Sequence, residues 1–367
     1  MAWTWQRDGW PDFTWNRARS QRAEARFLLE AGAFAGMARH LAAGEGEGLT
    51  VDALSDEAMA TSEIEGEVLD RDSVRSSIRR ALGLGFERRR AGAAERGIAE
   101  TMVDLHRSFA APLSEAMLFG WHRMVTAGRR DLRDVGRWRR DPSPMQVVSG
   151  PVHAPVVHFE APPARDVPAE MARFVAWFNR TGLEGDEALP AMTRAGIAHF
   201  YFVCIHPFED GNGRVGRAVA EKALAQGLGR PTEIALAATI LARRRDYYAA
   251  LERNNTGVEL TDWLDWFSGT VLAAQARATE TVVFVLAKTR LLDRVSGLLN
   301  ARQTKALSRV LREGPAGFRG GLSAGNYATI TGASPATATR DLADMVGKGV
   351  LVREGERRYA RYWVVLR

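Results

Sequence analysis

Residues 206–217 combine, in one short stretch, side chains that could act on a nucleoside triphosphate. The stretch is His-Pro-Phe-Glu-Asp-Gly-Asn-Gly-Arg-Val-Gly-Arg. A histidine can accept a proton near neutral pH, and a carboxylate can hold a divalent cation. Guanidinium groups and unpaired backbone amides can hold phosphates. The residue types therefore predict phosphate chemistry, with a base, a metal ligand and an anion site close together.

The flanking sequence predicts two helices that position this stretch. Residues 195–205 are apolar and aromatic, which indicates a buried helix. Pro207 should end it, because the residue before a proline is disfavoured in the helical conformation. Residues 215–224 predict a second helix, and Gly211 and Gly213 would lie in the turn that opens it. Amides at such a helix start, together with the helix dipole, favour an anion.

The stretch resembles the signature of the Fic-domain family, His-x-Phe-x-Asp/Glu-Gly-Asn-Gly-Arg-x-x-Arg. Most members of that family transfer AMP from ATP to a hydroxyl of a target protein. The resemblance implies ATP as substrate and Mg²⁺ as cofactor. It also implies these roles: His206 as base, Phe208 as anchor of the loop, Asp210 as metal ligand, Gly211, Asn212 and Gly213 as the anion hole, and Arg214 and Arg217 as ligands of the outer phosphates.

A second segment, Thr-Ser-Glu-Ile-Glu-Gly at 61–66, suggests regulation. On a helix, Thr61 and Glu65 would lie one turn apart on one face. A Glu-Gly pair at a helix end is by itself typical of a solvated carboxylate before the cap. Many Fic proteins carry the pattern Ser/Thr-x-x-x-Glu-Gly/Asn as an inhibitory helix. The resemblance therefore implies that Thr61, Glu65 and Gly66 form such a motif and that Glu65 pairs with Arg217.

Two β-prone runs at 146–150 and 156–159 predict a hairpin around Gly150 and Pro151. In the Fic family such a hairpin is a flap over the active site that docks the target segment by strand addition, for which an exposed strand edge is suited. The resemblance implies that a target protein docks on residues 145–160. It places Val148 and Ser149 at the nucleotide.

The segment Tyr247–Asn255 resembles the family segment that contacts the nucleoside. Tyr248 and Asn255 are the matching pair and are therefore candidate nucleotide ligands. An aromatic residue on a helix more often belongs to the core.

The ends of the chain carry structural signals. We expect residues 42–48 to be a loop and Thr50 to cap the helix that follows. An aromatic N-terminal cluster should pack against the main body: Trp3, Trp5, Trp10, Phe13 and Trp15. The C-terminal part predicts a winged helix-turn-helix, with helices at 302–313, at 327–331 and from Ser334, and strands at 350–353 and 359–366.

The sequence of the C-terminal module allows several interpretations of its binding partner. DNA contact through the third helix is one interpretation. Asp341 and Asp344 on that helix argue against tight phosphate contact. Dimerisation, including a homodimer, and docking of a target protein stay open as alternatives.

The composition sets mild limits. A chain of 367 residues can form two or three domains, and a net charge of +6 decides little about partners. The single cysteine, Cys204, excludes an internal disulfide and fits a reducing compartment. We see no signal peptide and no long apolar span, so we expect a cytoplasmic protein without a membrane partner.

Together these features predict a mainly α fold, with a helical Fic core, a β-hairpin flap and a C-terminal winged helix-turn-helix. The expected domains are an N-terminal helical region at 1–95, the core at 96–275, a connecting helix at 276–300 and the winged helix at 301–367. The leading interpretation is a protein adenylyltransferase that acts on a Ser, Thr or Tyr hydroxyl and is autoinhibited by Glu65. Removal of AMP at the same site, and a winged-helix regulator with a nucleotide-sensing core, remain alternatives.

Overall fold

The computed structural model describes residues 2–85, 90–151 and 155–366 and is mainly helical, as predicted. It divides into two compact units. The first comprises Met1–Ala33 and Glu47–Ala276, and the second comprises Phe34–Gly46 and Arg277–Arg367.

The α-helices before the C-terminal module are, in chain order, α1 (Arg17–Ala38), α2 (Ala43–Ile64), α3 (Arg71–Leu82), α4 (Ala93–Ser108), α5 (Glu115–Val125), α6 (Val167–Arg180), α7 (Ala191–Ile205), α8 (Asn212–Leu228), α9 (Leu236–Ala242), α10 (Arg244–Asn254) and α11 (Thr261–Arg294). Strands β1 (Gln146–Ser149) and β2 (Val156–Glu160) pair antiparallel between α5 and α6. This pairing is the predicted flap hairpin. Its residues 152–154 lie outside the described residues.

Helices α7 and α8 flank the signature segment, which we define as residues 206–217. α7 is buried on nearly every side, as its apolar sequence predicts, and Phe200 and Ile205 are fully inaccessible. Both predicted helices are confirmed, and both are longer than predicted. Gly211 precedes α8, whereas Gly213 already lies in its first turn.

The start of α2 differs from the sequence prediction. The expected loop at 42–48 and cap at Thr50 are wrong, because the helix begins at Ala43. Its glycines cost about 1 kcal/mol each in helix propensity. The Glu45 carboxylate offsets part of this cost, because it accepts a hydrogen bond from the Ala42 N–H (3.1 Å) and lies near the positive end of the helix dipole.

The aromatic N-terminal segment packs against the first unit, as expected. Trp5 Nε1 donates to the carbonyl of Glu160 at the end of β2 (2.7 Å). Trp3 packs edge-on against Phe159 (5.5 Å between ring centroids), and Trp10 packs likewise against Tyr201 in α7 (4.9 Å). These contacts brace the base of the flap and the helix that ends at the signature segment.

The second unit ends in three helices and a hairpin, in the predicted order: α12 (Ala301–Leu311), α13 (Ala324–Thr331), α14 (Pro335–Gly347), β3 (Leu351–Glu354) and β4 (Arg361–Val364). The Ser334 hydroxyl caps α14 by accepting from the Thr337 N–H (3.3 Å). The apolar core of this unit includes Leu307, Leu342 and Met345, all almost fully buried. The DNA contact, dimer contact or docking role of this module stays a prediction.

Asp341 and Asp344 both make hydrogen bonds within this unit. Asp341 is buried and accepts hydrogen bonds from Arg302 Nε (2.8 Å) and the Tyr327 hydroxyl (2.9 Å). Asp344 accepts from Gln303 Nε2 (2.7 Å), but its side chain is 48% exposed. Asp341 therefore serves packing between helices, and the argument against tight phosphate contact stays a prediction.

Helix α11 corrects the expectation that the chain has no long apolar span. By length and composition alone this helix could cross a membrane, and 28% of its most apolar window is buried. The apolar span was not recognised in the sequence because Arg277 and Glu280 interrupt it. The predicted boundary between the core and the connecting helix, at residues 275–276, falls inside this helix.

Candidate active site

His206 ends α7 in a left-handed backbone conformation, with φ of 49°. This conformation is costly for a residue other than glycine, so the surroundings must hold it. Pro207 prevents continuation of the helix. The Nε of buried Arg139 donates to the His206 carbonyl (2.8 Å), and His206 Nδ1 lies 3.2 Å from the carbonyl of Val203.

The hydrogen bond to Val203 determines the tautomer of His206. A carbonyl oxygen can only accept, so Nδ1 carries the proton and Nε2 is the basic nitrogen. Burial lowers the pKa of His206 to about 4, so the ring is neutral at pH 7. A neutral imidazole in this state can take a proton from a hydroxyl group.

Phe208 and Asn212 lock the loop between His206 and α8. The Phe208 N–H donates to Asn212 Oδ1 (2.8 Å), and Asn212 Nδ2 donates back to the Phe208 carbonyl (2.9 Å). Phe208 is fully buried, as expected for an anchor. The Asn212 side chain is therefore used within the loop, and its backbone N–H at the start of α8 is the group left for an anion.

His122 on α5 also contacts the loop between His206 and α8. Its ring stacks on Phe208, with 4.0 Å between centroids and 2° between planes. The Gly136 N–H donates to His122 Nδ1 (2.9 Å), so Nε2 carries the proton and donates to the Asp210 carbonyl (3.1 Å). Burial lowers the pKa of His122 to about 4 and keeps this tautomer neutral.

Asp210 lies in a strongly cationic setting. Its carboxylate accepts from Arg129 Nη1 and from the Gly211 N–H, each at 2.5 Å, and Arg214 Nη2 lies 3.9 Å away. Burial alone would raise the pKa of Asp210, but these hydrogen bonds and charges lower it on balance. Asp210 is therefore ionised at neutral pH.

The donor set around Asp210 fits one magnesium ion shared with a substrate. The described residues contain no group of three or more His, Cys, Asp and Glu side chains that could form a complete metal cage. Mg²⁺ typically binds one or two carboxylates together with substrate phosphates. Arg129 also pairs with Asp131 (2.6 Å), so it retains a partner if a cation replaces it at Asp210.

Arg217 is the most deeply buried cation of the signature segment, with 1% of its side chain exposed. Its Nη2 donates to Glu65 Oε1 (2.7 Å) and to the Thr61 carbonyl (2.9 Å), and its Nε donates to Thr61 Oγ1 (2.7 Å). Burial would lower the pKa of Arg217, but the Glu65 charge outweighs this effect and raises it. The expected pair between Glu65 and Arg217 is present, and Thr61 orients it.

Glu65 also covers the first turn of α8. A Cβ atom at Gly213 would lie 2.1 Å from Glu65 Oε1 and 3.1 Å from Arg217 Nη1. Only glycine leaves room for an anionic oxygen this close to the backbone. Arg217 Nη1 is buried and has no hydrogen-bond partner within the described residues. A carboxylate thus occupies part of the predicted anion hole, and one guanidinium N–H group beside it is unsatisfied.

A cavity of about 600 Å³ lies beside this anion hole. We call it the central cavity. Its lining includes His206, Glu65 and Gly213, together with the apolar side chains Phe200 and Leu251. Such a mixture of an apolar wall and a few polar groups is typical of a small-molecule site.

The remaining predicted ligands divide into two groups. Val148, Ser149, Tyr248 and Asn255 line the central cavity together with His206. The other group is absent from the described lining of this cavity: Asp210, Gly211, Asn212, Arg214 and Arg217. The nucleoside-side candidates thus line the cavity, whereas among the phosphate-side candidates only Gly213 belongs to the described lining.

The flap is tied to α10 where its ladder is irregular. Val147 pairs with Phe159 and Val148 pairs with Val157, so His158 is skipped. The His158 carbonyl accepts from Asn255 Nδ2 (2.8 Å). These contacts hold the flap beside the central cavity and leave most of β1 exposed.

A hydrogen-bonded chain of side chains reinforces this attachment. Ser149 Oγ lies 2.6 Å from His158 Nε2, and His158 Nδ1 lies 2.8 Å from Glu252 Oε1. Tyr248 links α10 to the end of α2, because its hydroxyl donates to the Ile64 carbonyl (3.3 Å). Tyr248 is 40% exposed, so it is not a core aromatic.

Comparison with known families supports the assignment of this site. Residues 112–224 match the Fic/DOC family model, and residues 3–84 match DUF4172, a domain of unknown function. The chain therefore carries a Fic/DOC-family domain. Among curated proteins, a protein adenylyltransferase, fic-1, from Caenorhabditis briggsae is 36% identical over 88 residues. That alignment spans 24% of this chain and 16% of the relative.

Two solved structures share the fold. A Fic family protein from Desulfovibrio desulfuricans G20 matches with a TM-score of 0.53 and 20% identity, over 94% of this chain and 96% of its own. A Fic domain containing signaling protein from Bacteroides thetaiotaomicron VPI-5482 matches with a TM-score of 0.51 and 17% identity, over 71% of this chain and 96% of its own. At these identities the likeness concerns the fold.

Sequence reasoning missed several residues that shape the site. Glu67 pairs with Arg214 (2.8 Å), although it lies just beyond the recognised motif. Arg129, His122 and Arg139 contact the signature segment from distant positions. Nothing in the local sequence of Arg129 or His122 marks them, whereas Arg139 ends Gly-Arg-Trp-Arg at 136–139, a segment that loosely resembles the family. Glu67 also carried a signal, since it follows the glycine that reverses the chain after α2.

Proposed function

We propose that this protein is an adenylyltransferase that transfers AMP from ATP to a hydroxyl of a target protein, and that Glu65 holds it in an inhibited state. The observation that carries the proposal is the placement of a carboxylate on buried Arg217 and against Gly213, in a cavity that also contains His206. The match to the Fic/DOC family and the adenylyltransferase relative support it.

The reaction needs a base, and His206 is suited to this role. Nε2 takes the proton of the target hydroxyl as its oxygen attacks the α-phosphorus of ATP and pyrophosphate leaves. The low pKa of His206 keeps the ring in its basic form over a wide pH range. The hydrogen bond between Nδ1 and the Val203 carbonyl fixes the orientation of the ring.

Charge neutralisation is the second requirement of phosphoryl-type transfer. Arg214 and Arg217 hold the phosphates beyond the first, and the N–H groups at the start of α8 add to the anion site. Asp210 would hold Mg²⁺, and the ion would supply counter-charge to the phosphates. His122 fixes the Asp210 backbone in place for this role.

The flap supplies the docking edge for the target protein. Val147 and Val148 on β1 are exposed, and an exposed strand edge can pair with an extended segment. The attachment of His158 to Asn255 and Glu252 holds that edge next to His206. The target segment would thus present its hydroxyl to the central cavity.

Removal of AMP from a modified protein is the second candidate. It is favoured by the position of Glu65, whose carboxylate lines the same cavity as His206 and is 30% exposed. In that reaction Glu65 would orient a water molecule toward the phosphorus.

Labelled ATP separates the two reactions. The protein and its Glu65→Gly variant are incubated with ATP labelled at the α-phosphate, alone and with cell lysate. Labelling of protein supports transfer if it is lost when His206 is replaced. Release of AMP from a pre-labelled target, lost in the Glu65→Gly variant, supports removal. Neither signal in a folded, ATP-binding protein contradicts both.

A further inference from the structure

A second carboxylate binds Arg214, the other arginine of the signature segment. Arg214 is buried, with 5% of its side chain exposed, and its Nη1 donates to Glu67 Oε2 (2.8 Å) and to the Val125 carbonyl (2.9 Å). Arg214 Nε is buried without a hydrogen-bond partner in the described part of the chain. Arg214 therefore resembles Arg217, which also combines one hydrogen-bonded carboxylate partner with one unsatisfied N–H group.

The end of α2 explains why both carboxylates come from one turn. The Glu67 N–H donates to the Ser62 carbonyl (3.0 Å), and the Gly66 N–H donates to the Glu63 carbonyl (3.0 Å). Gly66 has φ of 85°. These are the two hydrogen bonds and the left-handed residue of a Schellman cap. The cap reverses the chain, so residues 65 and 67 lie on either side of Gly66 and can reach different arginines.

The two partners of this ion pair differ in exposure. Arg214 is buried and held by the Val125 carbonyl, whereas 35% of the Glu67 side chain is exposed. An incoming anion would therefore displace Glu67 and leave Arg214 in place. A phosphate carries more charge and more acceptor oxygens than a carboxylate, so it can compete with Glu67 for this guanidinium.

We propose that Glu67 determines how many phosphates the resting site accepts. Glu67 competes for Arg214 with the phosphates beyond the first, as Glu65 does for Arg217. The resting protein then favours a nucleoside monophosphate, and a di- or triphosphate gains its full affinity only when Glu67 is displaced. The inference rests on the proposed function only in taking the central cavity as a nucleotide site.

Equilibrium binding of AMP, ADP and ATP tests this proposal without relying on activity. Each nucleotide is titrated by calorimetry into wild type, Glu67→Gln, Glu67→Ala, Glu65→Gln and the Glu65→Gln/Glu67→Gln double variant. Glu63→Gln is the matched control, because Glu63 is an exposed carboxylate on the same turn. Circular dichroism checks that each variant is folded.

Both Glu67 variants should bind ADP and ATP about tenfold more tightly than wild type, and AMP with little change. A tenfold gain corresponds to about 1.4 kcal/mol, which is the scale of one charge-assisted hydrogen bond. The double variant should gain most for ATP, and the Glu63→Gln variant should match wild type.

Three results would overturn the inference: unchanged ADP affinity in both Glu67 variants, an equal gain for AMP, or no nucleotide binding by any variant. Parallel labelling with α-labelled ATP keeps the two proposals apart. If the Glu67 variants gain ADP affinity and no variant labels protein, the inference stands and the proposed function fails. If Glu65→Gly labels protein and ADP affinity is insensitive to Glu67, the inference fails and the proposed function stands.

Discussion

The first unit, which contains the proposed active site and is called the catalytic unit below, and the C-terminal module both bury charged side chains. They differ in how completely the hydrogen-bonding groups of these side chains find partners. In the module, Asp341 accepts hydrogen bonds from Arg302, Tyr327 and Asn300, and each carboxylate oxygen has partners. In the catalytic unit, Arg214 and Arg217 each keep a buried N–H atom without a partner among the described residues.

We interpret this difference as that between a structural polar network and a binding site, although Arg139 Nη1 and Arg194 Nε, outside the signature segment, are unsatisfied within the described residues as well. An unsatisfied buried donor costs about 1–3 kcal/mol, so a protein retains one only where something offsets that cost. In the module the network is complete and holds α12, α13 and α14 together. Under the proposed function, the arginines of the catalytic unit bind a ligand with more acceptors than Glu65 and Glu67 provide. The contrast predicts that changes in one region alter activity and changes in the other alter stability.

Removal of the base should have the largest effect. We expect His206→Ala to reduce transfer by about 10²–10⁴-fold, because general-base catalysis is lost. ATP affinity should stay close to that of wild type, since the phosphate ligands are intact. Initial rates with α-labelled ATP and calorimetric ATP binding measure both quantities. Unchanged turnover would exclude His206 as the base.

Loss of the metal ligand should come next. Asp210→Ala, or excess chelator with the unchanged protein, should reduce the transfer rate on the order of 10²-fold or more. The activation free energy rises by several kcal/mol because the leaving pyrophosphate loses its main counter-charge. Asp210→Asn is the matched control that keeps the side-chain volume. Full activity in chelator would contradict the metal role. Activity that returns with added Mg²⁺ in the unchanged protein would support it.

Disruption of the polar network in the C-terminal module should alter stability alone. We expect Asp341→Ala to lower the free energy of unfolding by about 1–3 kcal/mol, because several buried donors lose their acceptor. The transfer rate of a Glu65→Gly background at 25 °C should not change. Urea unfolding and labelling rates give the two readouts. A fall in transfer with no change in stability would break the comparison.

The smallest expected effect is that of pH on transfer. Burial lowers the pKa of His206 to about 4, below the ordinary value of 6.5. The basic form therefore persists as the pH falls through 6.5, and it is lost only as the pH approaches 4. Transfer by Glu65→Gly should be nearly level from pH 8 to pH 5.5. A halving of the rate near pH 6.5 in folded protein would show that His206 titrates normally.

The sequence predicted the local parts of this site well. The signature segment is short and contiguous, so its residue types and spacing indicated phosphate chemistry. The pair between Glu65 and Arg217 was implied by the resemblance of residues 61–66 to a motif of the Fic family, and the structure contains it. The buried helix before His206 and the flap hairpin were also predictable, because apolar runs and glycine-proline turns are local signals.

What the sequence could not show depends on tertiary contacts. Arg129 reaches Asp210 from 81 positions away, and His122 stacks on Phe208 from another helix. The predicted start of α2 was wrong because a glycine-rich sequence favours a loop. In the structure, hydrogen bonds around Glu45 stabilise a helix there. Local propensity is a weak prior when such contacts compete with it.

The central claim is that Glu65 inhibits transfer by occupying Arg217. The direct measurement is the self-labelling rate with α-labelled ATP of wild type, Glu65→Gly, Arg217→Ala and the double variant. The account predicts a gain of about tenfold or more in Glu65→Gly, since one charge-assisted pair is worth roughly 1.5–3 kcal/mol. It predicts no gain in Arg217→Ala, which also loses a phosphate ligand, and a double variant that behaves like Arg217→Ala. A Glu65→Gly protein that is folded, binds ATP and is no more active than wild type on any acceptor would contradict it.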